Sequence, residues 1–289
     1  MALAAAVAIV RQCLNHADAS MEKLSDRIER ASLSSPLGAD MAAVRSGSHK
    51  LAMDYRLTHV ETLGNALVAN LQGLNVLLVN ETYFALPSVA VARAVVEVAA
   101  NSSWLLSAEA NTDERAARAY AAMFRAFDKG IANTLDKDAE RFKELKNELI
   151  GYLKTQRVHV VPRTRGQIVF DDISTVRVGR TEAKTGFQYT QRIDAEIPSL
   201  AGLYAGLSGM AHGEQVHAVS TWDRPDTSAR LIGLTVQRAV EAWSKSLHAW
   251  VGVTPGPFVN PAHEARLVNS IPPDVAQALR EAGARASEA

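Results

Sequence analysis

The sequence predicts a mainly α fold, a multi-helix bundle with a small extended or β insertion near residues 157–192. Alanine, leucine and valine recur at helical spacing through the first half of the chain, where glycine or proline seldom interrupts them. Between 157 and 192 short apolar runs are divided by Pro162, Gly166 and Gly179, which indicates two or three strands. The prolines after Val253 exclude one continuous helix there. We therefore expect one bundle domain over 1–253 and a proline-rich arm over 254–289 with a short helix near 273–283.

Apolar periodicity and helix-end residues together predict the individual helices. They cover residues 3–31, 49–79, 87–107, 113–127, 131–154, 199–213 and 227–251. Pro87 suits a first helical turn, and Thr112, which two acidic residues follow, is predicted to cap the fourth helix. Asp226 or Thr227 is predicted to cap the last one. The segment 32–47 is rich in serine and glycine and is predicted to be a loop.

Composition excludes several classes of function. The chain has 31 basic and 31 acidic residues, so no global charge attracts nucleic acid or a membrane. Cys13 is the only cysteine, which excludes an intramolecular disulfide and a thiolate metal cluster and fits a reducing compartment. The apolar start at 2–10 is short and lacks a preceding basic residue, and charges interrupt the longer apolar runs. A cytoplasmic protein with no membrane contact is expected.

The segment 84–106 is apolar on nearly every face and still carries three polar side chains. Arg93, Glu97 and Asn101 follow one another at i, i+4 steps and so share one stripe of a helix. A charge on a buried helix must be paired and hydrogen-bonded. This stripe therefore predicts either a structural ion pair or a functional site.

A second polar stripe is predicted in the helix at 199–213. Tyr204, Ser208 and His212 lie at i, i+4 and i+8, and His212 sits at the helix end before Gly213. An imidazole there is suited to proton transfer near neutral pH or to phosphate recognition. The alternative is a capping histidine with two hydroxyl groups that hydrogen-bond across the bundle.

Other kinds of site lack their sequence patterns. Ser208 is not in a Gly-x-Ser-x-Gly turn, and His212 and His217 are five residues apart, which does not place two metal ligands on one helical face. No phosphate-binding or dinucleotide-binding glycine motif occurs. No cofactor and no metal are predicted. The basic excess at 157–192 is the one local candidate for a polyanion surface, although a solvated hairpin with ordinary surface charge explains it better because few aromatic residues accompany it.

These residues together resemble a family of bacterial helical proteins related to the HEPN-like bundles. The resemblance is carried by Arg93, Glu97 and Trp104, by Arg115 and Arg118, and by Tyr204, Ser208 and His212. It implies a homodimer and an RNA-cleaving or RNA-binding role in bacterial defence or toxicity. That family uses an arginine followed after four to six residues by a histidine, whereas Ala205, Gly206 and Leu207 occupy those positions before His212. Arg11 and His16 have the spacing but lie about 140° apart on a helix, as in a chance match.

A composite site follows from the two stripes. Arg93, Glu97 and Asn101 would face Tyr204, Ser208 and His212 across the bundle, with Arg115 or Arg118 at the rim. Arginine would hold a phosphate or carboxylate, glutamate would orient it, and histidine would act as base or acid at a ribose hydroxyl. The rival hypothesis is a non-catalytic bundle for self-association or a protein partner, in which Arg93 and Glu97 are a buried structural pair.

Overall fold

A computed structural model describes residues 2–80, 85–165, 168–200, 203–204, 207–208 and 225–254. The helices are α1 (Ala2–Glu22), α2 (Leu24–Glu29), α3 (Pro36–Arg45), α4 (Lys50–Val79), α5 (Ala85–Leu106), α6 (Thr112–Asn133), α7 (Asp136–Thr155), α8 (Tyr189–Glu196), a 3-10 turn (Pro198–Leu200) and α9 (Pro225–Val251). The strands are β1 (His159–Arg165), β2 (Ile168–Val178) and β3 (Thr181–Lys184). The predicted fold class, mainly α with a small β insertion, is confirmed.

The larger core lies between α1, α4, α5 and α9. Leucines at helical spacing along α4, Leu67, Leu71 and Leu74, are fully buried in this core, where α4 packs against α1 and α5. Trp243 and Trp250 of α9 are the largest buried side chains in the described ranges and fill the space between α9 and its neighbours. Because α5 packs against both α4 and α9, its polar stripe runs along the edge of this core.

A smaller core joins α6 and α7 to the sheet. Alanines on α6 let β2 and β3 approach closely, and Tyr120 and Phe124 fill the space beside them. The three strands are antiparallel in the order β1-β2-β3, with an irregularity beside Pro162. Gly179 has φ +57 in the tight turn between β2 and β3, a backbone conformation that other residues adopt only with strain.

The prediction of a loop at 32–47 is wrong, because α3 occupies most of it. Ser35 caps this helix, since its Oγ accepts a hydrogen bond from the Gly38 amide at 3.0 Å, and Pro36 is its first residue. Gly38 packs directly on the backbone of the preceding turn at Ser32 and Leu33. The glycine therefore serves close packing inside a helix here.

Several predicted helix boundaries are also corrected. The first predicted helix is divided at Lys23 into α1 and α2, and α6 runs on to Asn133 before α7 begins. The cap of α6 is Asn111, whose side chain accepts from the Glu114 amide at 2.9 Å, in place of Thr112. Asp226 lies within the first turn of α9.

The end of the insertion differs from expectation, and the helix predicted at 199–213 is described only in part. The helix α8 starts at Tyr189, inside the predicted extended insertion. Residues 203–204 and 207–208 are helical, whereas the remainder of 201–213 lies outside the described residues. The arm predicted beyond 254 also lies outside them.

Among the residues that the structure describes, two helices are long and apolar enough to cross a membrane by length and composition alone. They are α4 and α5, and 56% of the most apolar stretch of α5 is buried inside the protein, against 28% for α4. Buried helices of soluble proteins meet the same criterion. The expected cytoplasmic location and absence of membrane contact remain predictions.

Candidate functional site

The predicted stripe on α5 contains an ion pair at the bundle surface. Arg93 Nε donates to Glu97 Oε1 at 2.8 Å, and the two side chains are 24% and 21% exposed. The i, i+4 spacing places them one turn apart on the same face of α5. The pair is therefore partly solvated, and the expectation that it is buried is wrong.

Tyr204 completes a three-residue cluster with this pair, which we call the Arg93 cluster. Its hydroxyl donates to Glu97 Oε1 at 2.6 Å and accepts from Arg93 Nε at 3.2 Å. The guanidinium carbon of Arg93 also lies 5.7 Å from the centre of the Tyr204 ring. Glu97 and Tyr204, which are 107 positions apart in the sequence, are therefore in contact, as the predicted pairing of the two stripes requires.

The Arg93 cluster fixes its own ionisation. Burial, together with the hydrogen bond to Glu97, raises the pKa of Tyr204, so its phenol stays protonated and remains a donor. Burial alone would lower the pKa of Arg93, but its hydrogen bonds to Tyr204 and Glu97 outweigh that effect and raise it. Arg93 therefore stays a cation and Tyr204 a neutral phenol across the range near neutral pH.

The third residue of the α5 stripe, Asn101, has a different partner. Its Oδ1 accepts from Arg192 Nη1 of α8 at 2.8 Å. The Arg192 guanidinium lies 3.8 Å from the centre of a ring of Trp104 and 3.2 Å from the centre of the Phe187 ring. Sequence spacing could not pair Asn101 with Arg192, because the two residues are 91 positions apart and lie on different helices.

Arg118 lies beside the same end of α5. It donates to the Trp104 carbonyl oxygen at 2.7 Å and pairs with Glu114 at 2.5 Å. Its guanidinium also lies 5.7 Å from the centre of a Trp104 ring, and the side chain is 16% exposed. Arg118 is thus near the stripe, as expected for a rim residue, although one of its hydrogen-bonding groups is already engaged by a carboxylate.

Arg115 does not lie at a rim, because it is buried in a structural cluster around Asp40. Arg115 Nη2 and Arg56 Nη1 donate to the two Asp40 oxygens at 2.8 and 2.6 Å, and Trp250 Nε1 donates to Asp40 Oδ2 at 3.2 Å. Arg115 also donates to the carbonyl oxygens of Ser107, Ala110 and Pro36. Sequence reasoning missed this cluster because Asp40 fell in the predicted loop.

The remaining predicted site residues are placed only in part. Ser208 is helical and partly buried, one turn beyond Tyr204. His212 lies outside the described residues. Arg11 contacts Asn75 at 3.1 Å, whereas His16 contacts Ser244 at 2.7 Å, so this pair does not form one site.

A buried polar network links α1, α2 and α9. Arg27 Nη1 donates to His248 Nε2 at 2.7 Å, which requires a proton on Nδ1, and that nitrogen donates to the Ser244 carbonyl oxygen at 2.7 Å. Burial lowers the pKa of His248, and burial followed by the charges of His248 and Arg27 lowers the pKa of His16 to about 4. Both imidazoles are therefore neutral at neutral pH and join the helices by hydrogen bonds.

One cavity of about 180 Å³ opens beside the Asn101 end of the stripe. Residues of α4, α5, α6 and α8 and of the segment before α8 line it. Its wall includes the aromatic rings of Tyr55, Trp104, Phe187 and Tyr189, the imidazole of His59, whose pKa burial lowers, and the cations of Arg125, Lys129 and Arg192. Phe187 and Tyr189 were visible as the aromatic residues of the basic segment, but nothing in the sequence indicated that Arg125 of α6 joins them.

No group of three or more histidine, cysteine, aspartate or glutamate side chains suited to a metal ion occurs in the part of the chain that the structure describes. No protein-family model, curated protein or solved structure matches this chain. The fold and site define a mainly α bundle with a polar stripe, and the HEPN-like relationship remains a prediction.

Proposed function

We propose that this protein binds and cleaves RNA in the manner of a HEPN-like bundle, in bacterial defence or toxicity. The observation that supports the proposal is the Arg93 cluster, because it aligns a cation on α5 with the helical segment that carries Tyr204 and Ser208. A guanidinium held by two hydrogen bonds at a partly exposed position is suited to a phosphate group.

The proposed reaction needs a base near the RNA backbone. Neutral His212 would take the proton of a ribose 2′-hydroxyl while its oxygen attacks the adjacent phosphorus. The bond to the 5′ oxygen of the next nucleotide would break, that oxygen would take a proton from water, and a 2′,3′-cyclic phosphate would remain. Arg93 would stabilise the negative charge on the phosphorane, with Glu97 and Tyr204 as positioning residues.

The test is incubation of the purified protein with cellular RNA in the presence of a chelator. We expect metal-independent cleavage that His212→Ala abolishes and that Tyr204→Phe reduces, because Glu97 then loses its phenol donor. His159→Ala is the matched control, since this histidine is exposed on β1 outside the site. Absence of cleavage by a folded wild-type protein would overturn the catalytic part of the proposal.

A non-catalytic bundle is the second candidate, and the mutual hydrogen bonding of the Arg93 cluster favours it. If Arg93 and Glu97 only fix the position of α5, Arg93→Met alone should cost about 1–2 kcal/mol of unfolding free energy, less than the cost for a fully buried pair. The double variant Arg93→Met, Glu97→Leu should recover much of that loss. Light scattering would then test the homodimer that the resemblance implies.

A further inference from the structure

The cavity beside Asn101 contains two guanidinium groups that converge on one ring. The Arg125 guanidinium lies 3.8 Å and the Arg192 guanidinium 3.2 Å from the centre of the Phe187 ring. Arg192 is 9% exposed, and its position is fixed by Asn101 and by the Trp104 ring. The fold therefore holds both guanidiniums in position, and neither is a freely rotating group at the surface.

These two arginines differ from the others near α5 in lacking a carboxylate partner. Within the described ranges, neither Arg125 nor Arg192 has an acidic oxygen within 4.0 Å, whereas Arg93, Arg115 and Arg118 each have one. Burial, followed by the charge of Arg125, lowers the pKa of Arg192 to about 9, and the more distant Glu196 offsets this only in part. Two like charges in a half-enclosed space are destabilising, and a bound anion would relieve the repulsion.

The volume of the cavity limits the size of the anion that it can hold. Its volume is about 180 Å³, and a cavity of about 150 Å³ accommodates one benzene ring. The space therefore suits one six-membered ring and is small for the fused rings of a purine. Guanidiniums already lie on the rings of Phe187 and Trp104, so the flat guanidiniums and the Tyr189 ring are the surfaces for stacking, and the Asn101 side chain adds a polar group.

We propose that this cavity binds one pyrimidine nucleotide, with the base stacked against the flat guanidinium and tyrosine surfaces of its wall and the phosphate held by Arg125 and by Lys129 at the mouth. That the nucleotide is an unpaired residue of an RNA chain rests on the proposed function, and the affinity for the free nucleotide does not. The cavity would then select where an RNA strand lies relative to the Arg93 cluster, since Asn101 is two helical turns beyond Arg93 on α5.

The experiment is calorimetric titration of the full chain with UMP and CMP, and with AMP, uridine, inorganic phosphate and benzoate as comparisons. We expect one UMP or CMP per chain and affinities at least about tenfold weaker for each comparison compound, a difference of about 1.4 kcal/mol. Absence of UMP and CMP binding would overturn the proposal. Equal affinity for AMP would overturn the pyrimidine selectivity, and equal affinity for benzoate would replace the nucleotide by an aromatic carboxylate.

Single substitutions test whether the nucleotide binds in this cavity. Arg125→Ala should weaken UMP binding at least about tenfold, and Arg125→Lys should restore part of it because the charge remains without the stacking surface. Phe187→Leu should weaken binding independently. Arg141→Ala is the matched control, since Arg141 is 60% exposed on α7, and it should leave the affinity unchanged. An unchanged affinity in both Arg125→Ala and Phe187→Leu would overturn this location.

The two proposals fail separately. RNA cleavage that depends on His212, without binding of UMP or CMP, would overturn the nucleotide cavity and leave the proposed function. Binding of UMP that depends on Arg125, without RNA cleavage, would support the cavity and overturn the proposed catalysis.

Discussion

At the scale of single residues, Asp40 has the largest consequence for stability. Its carboxylate is fully buried, accepts hydrogen bonds from two guanidiniums and one indole, and is the acidic partner of both Arg56 and Arg115. Burial lowers the pKa of Arg56, and the charge and hydrogen bond of Asp40 oppose that effect. Two positive charges thus depend on one negative charge in the interior.

Replacement of Asp40 should therefore be severe. Asp40→Ala leaves both guanidiniums buried without an anion, and we expect a loss of about 3–5 kcal/mol in the free energy of unfolding. Denaturant unfolding followed by circular dichroism measures it. Asp54→Ala, an exposed aspartate on α4, is the control and should change stability by less than about 0.5 kcal/mol. A small effect of Asp40→Ala would show that the cluster is dispensable.

At the same scale, part of the candidate site was predictable and part was not. The i, i+4 and i, i+4, i+8 patterns placed Arg93, Glu97 and Tyr204 on two stripes, and the structure brings these three together. Helical periodicity says which residues of one helix share a face, but not which other helix covers it. For that reason Asn101 and Arg192, or Asp40 and Arg115, could not be paired from sequence spacing.

At the scale of elements, the helix α3 was not predicted because of the composition of its segment. Serine and glycine made 32–47 resemble a loop, yet Ser35 followed by Pro36 is a helix start that could have been recognised. By contrast the long apolar periods of α4, α5 and α9 predicted their helices to within a few residues. A long helix with strong apolar periodicity can be predicted from its own sequence. A short helix depends on tertiary contacts that the sequence pattern does not show.

The packing of α3 leads to a comparison of two glycines. In Gly38→Ala the added methyl would overlap the Ser32 carbonyl oxygen and the Leu33 backbone, so we expect a loss of more than about 2 kcal/mol. In Gly73→Ala the methyl meets nothing within 4 Å on α4, so we expect a gain of about 0.5–1 kcal/mol from helix propensity. Melting temperatures of the two variants test this, and equal shifts would contradict the packing of α3.

At the scale of the whole molecule, the histidine network should make stability depend on pH. The folded-state pKa of His16 is about 4, below its ordinary value of 6.5, and the pKa of His248 is lowered too. Below pH 6.5 the unfolded chain gains protons that the folded chain does not, so stability is lost as the pH falls towards 4. Above pH 6.5 neither histidine contributes to the dependence.

The melting temperature should therefore fall between pH 6.5 and pH 4. His16→Gln should make the decline shallower, because glutamine cannot take up the proton, whereas His159→Gln on the exposed face of β1 serves as the control. Differential scanning calorimetry at half-unit steps of pH measures both. If the melting temperatures of His16→Gln and the wild type fall equally with pH, the histidine network does not cause the pH dependence.

The hydrogen bond between Trp250 and Asp40 spans 210 residues, and α9 packs on both α1 and α5. During synthesis the ribosome therefore releases α1 and α5 well before the helix that covers them. At about 5–20 residues per second the apolar faces of these helices remain uncovered for about 7–29 seconds, the time needed to add the residues between the end of α5 and the end of α9. Until α9 forms, the apolar faces of α1 and α5 that it covers stay exposed, so this order of helices makes the incomplete chain prone to aggregation.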